Sequence, residues 1–214
     1  MNIARVTPAG SGSRAGNRHT ALRWAAMLRA AGHRVAVTKA WVPDDATELL
    51  LALHARRSHA SIRAFRSTHR DRPLLLALTG TDVYRDIRVS PEAKESLRLA
   101  DRFIVLQPRA IDELELALRA RASVVFQSSS TRLRHRPVRR AFRISVIGHL
   151  REEKDSLRAL SALAYVPQDA RIELVQVGAA LDEALARRAR EAGAREPRYR
   201  WLGSVPHARA LAWL

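Results

Sequence analysis

Short, uninterrupted apolar runs alternate with amphipathic stretches along nearly the whole chain, and this alternation restricts the fold more than any other feature. The run LLLAL occurs at Leu49–Leu53 and again at Leu74–Leu78. A strand with one wet face alternates apolar and polar residues, whereas a strand covered on both faces is continuously apolar. Between such runs lie segments with helical spacing, such as Asn17–Ala31 with Leu22, Ala25, Ala26 and Leu28, closed by Gly32. Strand–helix–strand repetition requires crossover connections and therefore a parallel sheet. The expected class is α/β.

The same reading places strands at Asn2–Thr7, His33–Trp41, Glu48–Ala55, Arg72–Asp82, Asp101–Gln107 and Ala122–Gln127. Helices are expected over Arg56–Arg70, Ser90–Ala100 (opened by Ser-Pro-Glu) and Pro108–Ala120. A basic stretch interrupts the pattern, which then restarts. Strands are expected at Phe142–Leu150, Ala170–Gly178 and Tyr199–Val205. Helices are expected at Lys154–Val166, Leu181–Gly193 and from Pro206 onward. The implied organisation is a complete domain over 1–127, a basic linker over 128–141 and part of a second domain over 142–214.

At 214 residues and 47% apolar, the chain can bury real cores. It has no cysteine, so disulfides and thiolate metal sites are excluded and a reducing, cytoplasmic setting is the simple expectation. The N-terminus lacks the apolar region of a signal peptide, and no run is long enough to span a bilayer, so no membrane partner is expected. The net charge is +17, and arginine supplies most of it: only Lys39, Lys94 and Lys154 are lysines. Guanidinium groups suit oxyanions. Nucleic acid is a weaker expectation, because aromatics make up only 5% and no nucleic-acid module motif is present. Oligomeric state is not legible.

The segment TPAGSGSRAGNRHT, Thr7–Thr20, carries Gly10, Gly12 and Ala15 in the G-x-G-x-x-[GA] spacing of dinucleotide sites. Such a site also needs an acid at the end of the second strand to hold a ribose. Thr38 and Lys39 stand there instead, and Asp44 and Asp45 follow only after Pro43. The NAD(P) reading is weakened, with Lys39 leaving NADP open. What survives is an anion site: glycines that allow close backbone approach, a helix N-terminus, and Arg14 and Arg18. The alternative is a solvated surface turn.

At RISVIGHLREEKD the restarted pattern places Gly148 after a strand and Lys154 six residues on. This resembles the G-[RH]-L-x-x-x-K segment of GT-B glycosyltransferases with a retaining, family-4-like donor domain. In most of those enzymes the residue after the glycine is arginine; here it is His149, with Arg151 as compensation. The segments GNRHTALRWAAMLRAAGHRV, LLLALHARRSHASIRAFR, LLLALTGTDVYRD, ADRFIVLQPRAIDEL, GHLREEKD and PRYRWLGSVPHARAL together resemble the selenosugar synthases of selenoneine biosynthesis. The resemblance implies a GT-B-like fold of one Rossmann-like domain plus part of a second. It implies transfer of a sugar from a UDP-sugar to selenophosphate, with no cofactor beyond the UDP-sugar co-substrate. An E-G-G-x-N-x-x-x-E segment of such enzymes has no counterpart here, and the chain stops inside a predicted helix. An incomplete donor site is therefore expected.

The resemblance assigns the donor diphosphate to Gly148, His149, Arg151 and Lys154. It assigns the acceptor to Gly12, Arg14, Gly16, Arg18, Arg56, Arg57 and Thr81. Asp82 is the catalytic candidate, positioning a hydroxyl or a base; the alternative is that it closes a turn. A selenium nucleophile needs little general-base help, in keeping with the lack of an obvious His/Asp dyad. No metal site is expected: His54 and His59 lack helical-pair spacing and a carboxylate, and Asp82 and Asp86 do not form D-x-D. The rival functions are an ordinary GT-B transferase with a hydroxyl acceptor and a non-catalytic anion- or nucleic-acid-binding module.

Overall fold

The computed structural model describes residues 1–10, 16–128 and 138–213. The chain divides into two compact units, Met1–Ser128 and Ser129–Leu214.

The first unit opens with strand β1 (Asn2–Val6), helix α1 (Gly16–Ala30), β2 (Arg34–Thr38) and β3 (Leu49–Leu53). Helix α2 (His59–Thr68) and β4 (Leu74–Leu78) follow. A wide π turn, Asp82–Asp86, then runs into the short helix α3 (Ile87–Val89) and on to α4 (Pro91–Leu99). The unit ends with β5 (Arg102–Val105), α5 (Arg109–Asp112), α6 (Leu116–Arg119) and β6 (Ala122–Val124). Its six strands are all parallel, in the order β2-β1-β3-β4-β5-β6.

The two LLLAL runs lie side by side in the middle of this sheet, Leu50 opposite Leu74 and Leu53 opposite Ala77. Both faces are covered, which is why neither strand carries a polar residue. On one face Ile3, Leu51, Leu53 and Ala77 pack under Ala21, Trp24 and Ala25 of α1. On the other, Leu50, Ala52, Leu74, Leu76 and Leu78 pack against Ile62 and Phe65 of α2 and Ala93 and Leu97 of α4. Phe65 is fully buried and meets Trp41 edge-on, centroids 5.1 Å apart. Burying side chains of this size stabilises by roughly 1.5–3 kcal/mol each. Helix α4 starts as its sequence predicts, with Ser90 Oγ accepting the Ala93 N–H at 3.2 Å behind Pro91.

The second unit holds β7 (Phe142–Ile147), a 3-10 turn (Glu152–Lys154), α7 (Arg158–Ala162), a second 3-10 turn (Leu163–Tyr165), β8 (Ile172–Val177), α8 (Glu183–Arg195), β9 (Tyr199–Trp201) and α9 (His207–Leu211). Its three strands are parallel in the order β7-β8-β9. Leu150, Leu157, Leu163, Leu174, Ala189 and Tyr199 form its main core. Among the described residues no helix is long and apolar enough to cross a membrane.

Several predicted helices are altered. The expected helix Pro108–Ala120 is broken into α5 and α6, because Leu114 turns into the core. The Arg119 guanidinium donates to the Leu114 carbonyl at 3.0 Å and to the Asp112 carbonyl at 2.8 Å, satisfying the oxygens the break exposes. The expected helix Lys154–Val166 is reduced to α7 between two 3-10 turns, with Asp155 left-handed at φ 44°. Helix α8 passes through Gly193, its predicted stop, to Arg195; the Glu196 N–H closes it on the Ala192 carbonyl. Helix α2 begins at His59 rather than Arg56, because His54 is left-handed at φ 74° and Arg56–Ser58 turn before the helix.

Candidate functional site

In an open parallel sheet, ligands bind outside the carboxyl ends of the strands where the chain order reverses. In the first unit that reversal lies between β1 and β3. Of the predicted residues at this edge, Gly12 and Arg14 lie outside the described residues. Gly16 is the first residue of α1 and is exposed. Arg18 is half-buried in the first turn of α1, and its Nε is buried without a hydrogen-bond partner.

The turn after β3 brings His54, Arg56 and Arg57 to the same edge. His54 is almost fully buried, and its left-handed backbone is uncommon for a residue with a side chain. Its Nδ1 accepts the Arg57 N–H at 3.4 Å, so the neutral ring carries its proton on Nε2. Nε2 lies 3.4 Å from Thr81 Oγ1 and 3.9 Å from Asp86 Oδ2. Burial pulls the His54 pKa down; Asp82 and Asp86 pull it up, Arg57 and Arg56 push it down, and the net shift is downward. Arg56 Nε donates to Asp86 Oδ2 at 2.8 Å, and Arg85 Nε donates to Oδ1 at 3.1 Å. Burial works to raise the Asp86 pKa, but the hydrogen bonds from Arg56 and Arg85 outweigh it and hold it below the usual carboxylate range. The Arg57 side chain is exposed.

Asp82, the catalytic candidate, opens the π turn that follows β4. Its carboxylate is fully buried and accepts the backbone N–H groups of Thr79 (3.0 Å), Gly80 (2.8 Å) and Ala55 (3.1 Å). It closes the turn after β4 and ties that turn to the one after β3. A carboxylate held by three backbone donors is suited to positioning the turns it joins. The sequence groups His54 with Arg56, Arg57 and His59 as a cluster after an apolar strand that could hold the acceptor, but not as the buried centre of this edge. Its signal was a histidine immediately after a fully apolar strand. No group of three or more His, Asp and Glu side chains suited to a metal occurs among the described residues.

In the second unit Gly148, His149, Arg151 and Lys154 follow β7 in one short segment. The Gly148 N–H donates to the Val177 carbonyl at 2.8 Å, and His149 Nδ1 accepts the Ala179 N–H at 3.1 Å. Arg151 is half-buried, and Lys154 is exposed at the end of the 3-10 turn. A buried chain of polar groups missed by sequence reasoning supports this segment from beneath. Tyr199 OH donates to Gln176 Oε1 at 2.7 Å, and Gln176 Nε2 donates to the Ser156 carbonyl at 2.8 Å. Ser156 Oγ accepts the Arg151 N–H and lies 3.2 Å from the carbonyl of His149. Burial pushes the Tyr199 hydroxyl up to about 12, so it stays protonated and donating. The signal was Gln176, an amide between Val175 and Val177 in the buried end of β8.

The fold matches solved structures. HepE of Anabaena, crystallised with UDP and glucose, superimposes with a TM-score of 0.67 at 15% identity, over 99% of this chain and 71% of that one. The fold is GT-B-like. HepE crystallised with UDP-glucose gives 0.65 at 16% identity over the same shares. The lipopolysaccharide outer core galactosyltransferase WaaB, in its apo form, gives 0.58 at 14% identity, over 96% of this chain and 68% of that one. No family model and no curated protein matches the sequence. In GT-B terms, the α1 and β3 turns belong to the first Rossmann-like unit and the Gly148 segment to the second.

Proposed function

We propose that the chain is a glycosyltransferase that moves a sugar from a UDP-sugar to selenophosphate. A lone pair on selenium attacks the anomeric carbon, the bond from that carbon to the UDP oxygen breaks, and UDP leaves with the electron pair. The observation that carries the reading is the Gly148–Lys154 segment. It is a strand end with close backbone packing, followed by His149, Arg151 and Lys154, and braced from below by Ser156, Gln176 and Tyr199. Charge develops on the departing diphosphate, and fixed cations and backbone N–H groups there lower its energy. That HepE structures hold UDP and UDP-glucose supports a UDP-sugar donor for the matching unit.

The first unit, residues 1–127, then takes the acceptor and the second, 142–214, the donor. Gly16, Arg18, Arg56 and Arg57 bring donors suited to a tetrahedral oxyanion. The Asp86 carboxylate aims Arg56, and Thr81 sits beside the His54 ring. Asp82 positions both turns. The lack of cysteine suits work in a reducing cytoplasm.

A hydroxyl acceptor is the second reading. It is favoured by His54, whose lowered pKa keeps the ring neutral, with Nε2 carrying the proton and able to donate to an acceptor hydroxyl at the strand edge. Calorimetry with UDP, selenophosphate and NADP tests the first reading. Heat is expected with UDP and selenophosphate and none with NADP, and UDP binding should weaken in Lys154→Ala. Absence of any UDP binding overturns it. Turnover with an alcohol acceptor but not with selenophosphate selects the second reading.

A further inference from the structure

Among the described residues, three side chains carry buried polar atoms without a hydrogen-bond partner: Arg5 at Nε and both terminal nitrogens, Arg18 at Nε, and Thr79 at Oγ1. They share one side of the first sheet. Strand alternation places Arg5 on the face of Ile3, and Thr79 on the face of Ala77, both beneath α1. Arg18 precedes Ala21 by three residues and Ala25 by seven, on the stripe of α1 that faces the sheet.

Arg5 is the severe case. It is fully buried, and its guanidinium carbon sits 4.8 Å from the centre of the Trp24 ring. Burial pulls its pKa down to about 9, which still leaves it cationic at neutral pH. A buried cation is normally paired, because leaving water without a counter-charge is expensive. No acid is at hand: β1, β2, β3, β4 and α1 contain no Asp or Glu. Asp82, just beyond β4, is already committed to backbone N–H groups. Among the described residues no carboxylate pairs with the Arg5 guanidinium, which leaves it open to a counter-charge from a ligand. The start of α1 adds the backbone N–H groups of a helix N-terminus at the carboxyl end of the same strands, with no acidic residue in its first turn.

We infer that Arg5, with Arg18 and the first turn of α1, binds a small tetrahedral oxyanion, the phosphoryl group of the acceptor. The identity of that acceptor rests on the proposed function; oxyanion binding does not. The guanidinium fork supplies paired donors, the Trp24 ring holds the fork flat from one side, and the helix end supplies the remaining field.

The test uses the whole chain with inorganic phosphate, selenophosphate and UDP as separate probes, at constant ionic strength. Phosphate and selenophosphate should raise the melting temperature of the unsubstituted protein. Arg5→Met, which keeps length and packing against Trp24, should melt higher without ligand and bind phosphate at least about tenfold more weakly. Its UDP binding should be unchanged. An unaltered phosphate response in Arg5→Met overturns the inference, and so does a response to UDP alone. Should Arg5→Met not fold, the unsubstituted protein decides: phosphate must shift the Trp24 indole NMR signal, and the absence of that shift is equally fatal. Failure of UDP to bind would sink the transferase reading while leaving the phosphate result legible.

Discussion

Gly178 packs directly on the peptide of Gly148. A Cβ at 178 would overlap the Gly148 carbonyl group and lie 2.8 Å from the His149 nitrogen, and the Gly178 backbone sits at φ 150°. The end of β8 thus serves as a template for the segment after β7. Gly178→Ala must both strain its own backbone and push Gly148 and His149 away. The expected result is a loss of about 2 kcal/mol or more from the second unit and a clear loss of UDP binding, read by urea denaturation and calorimetry. Gly148→Ala, where a Cβ meets nothing within 4 Å, should be far milder toward folding.

The chain Tyr199–Gln176–Ser156 makes a separate prediction. Tyr199→Phe removes the donor to Gln176 Oε1 and leaves a buried acceptor without its partner, at a cost of about 1–3 kcal/mol. Gln176→Leu also frees the Ser156 carbonyl. Because Ser156 Oγ accepts the Arg151 N–H, Gln176→Leu should weaken UDP binding although it touches no ligand. If UDP affinity is unchanged while stability falls, the chain braces the fold and not the donor segment.

Asp82 gathers three backbone N–H groups from two turns. Asp82→Ala leaves buried donors unsatisfied and should destabilise the first unit by on the order of 3 kcal/mol. Asp82→Asn keeps one acceptor oxygen but points an amide NH2 at backbone N–H groups, so it too should be harmful. As a positioning group, its loss should raise the acceptor KM through displaced His54 and Arg56 and leave UDP affinity intact. An Asp82→Asn protein with unchanged stability and abolished turnover would select the catalytic role expected from sequence over the positioning one.

The strands were legible because their composition is set by the sheet itself: LLLAL can be satisfied only where both faces are covered. The restart at Phe142 was legible for the same reason. What escaped were features decided by tertiary partners. Leu114 breaks a well-patterned helix because a core pocket and the Arg119 guanidinium accept the break. The role of Asp82 depends on Ala55, 27 residues earlier in the chain, whose N–H reaches it only once β3 and β4 pair. Arg5 carries a local signal, a lone charge in the strand NIARV, but its burial under Trp24 depends on how α1 packs on the sheet. Gly16, Arg18, Arg56, Arg57 and Thr81, and the segment Gly148–Lys154, were named from resemblance, while Asp86, Ser156, Gln176 and Tyr199, which hold their neighbours in place, came from geometry.

His54 yields a pH prediction with a definite sign. Its folded pKa lies below the unfolded value of about 6.5, chiefly through burial. The unfolded chain therefore binds the proton more readily, and acid favours unfolding. The contribution of the neutral ring is fully present above the unfolded pKa and is lost as pH falls from about 6.5 toward the lowered folded value. Asp86 is also lowered, but its loss begins only near the carboxylate range, well below that window. Asn tolerates the left-handed backbone at φ 74° and does not titrate, so His54→Asn isolates the effect. Urea denaturation at pH 7.5 and pH 5.5 should show the unsubstituted first unit losing stability between the two, and His54→Asn changing much less. Equal losses in both proteins would move the titration to another group and remove His54 as the neutral ring of the hydroxyl reading.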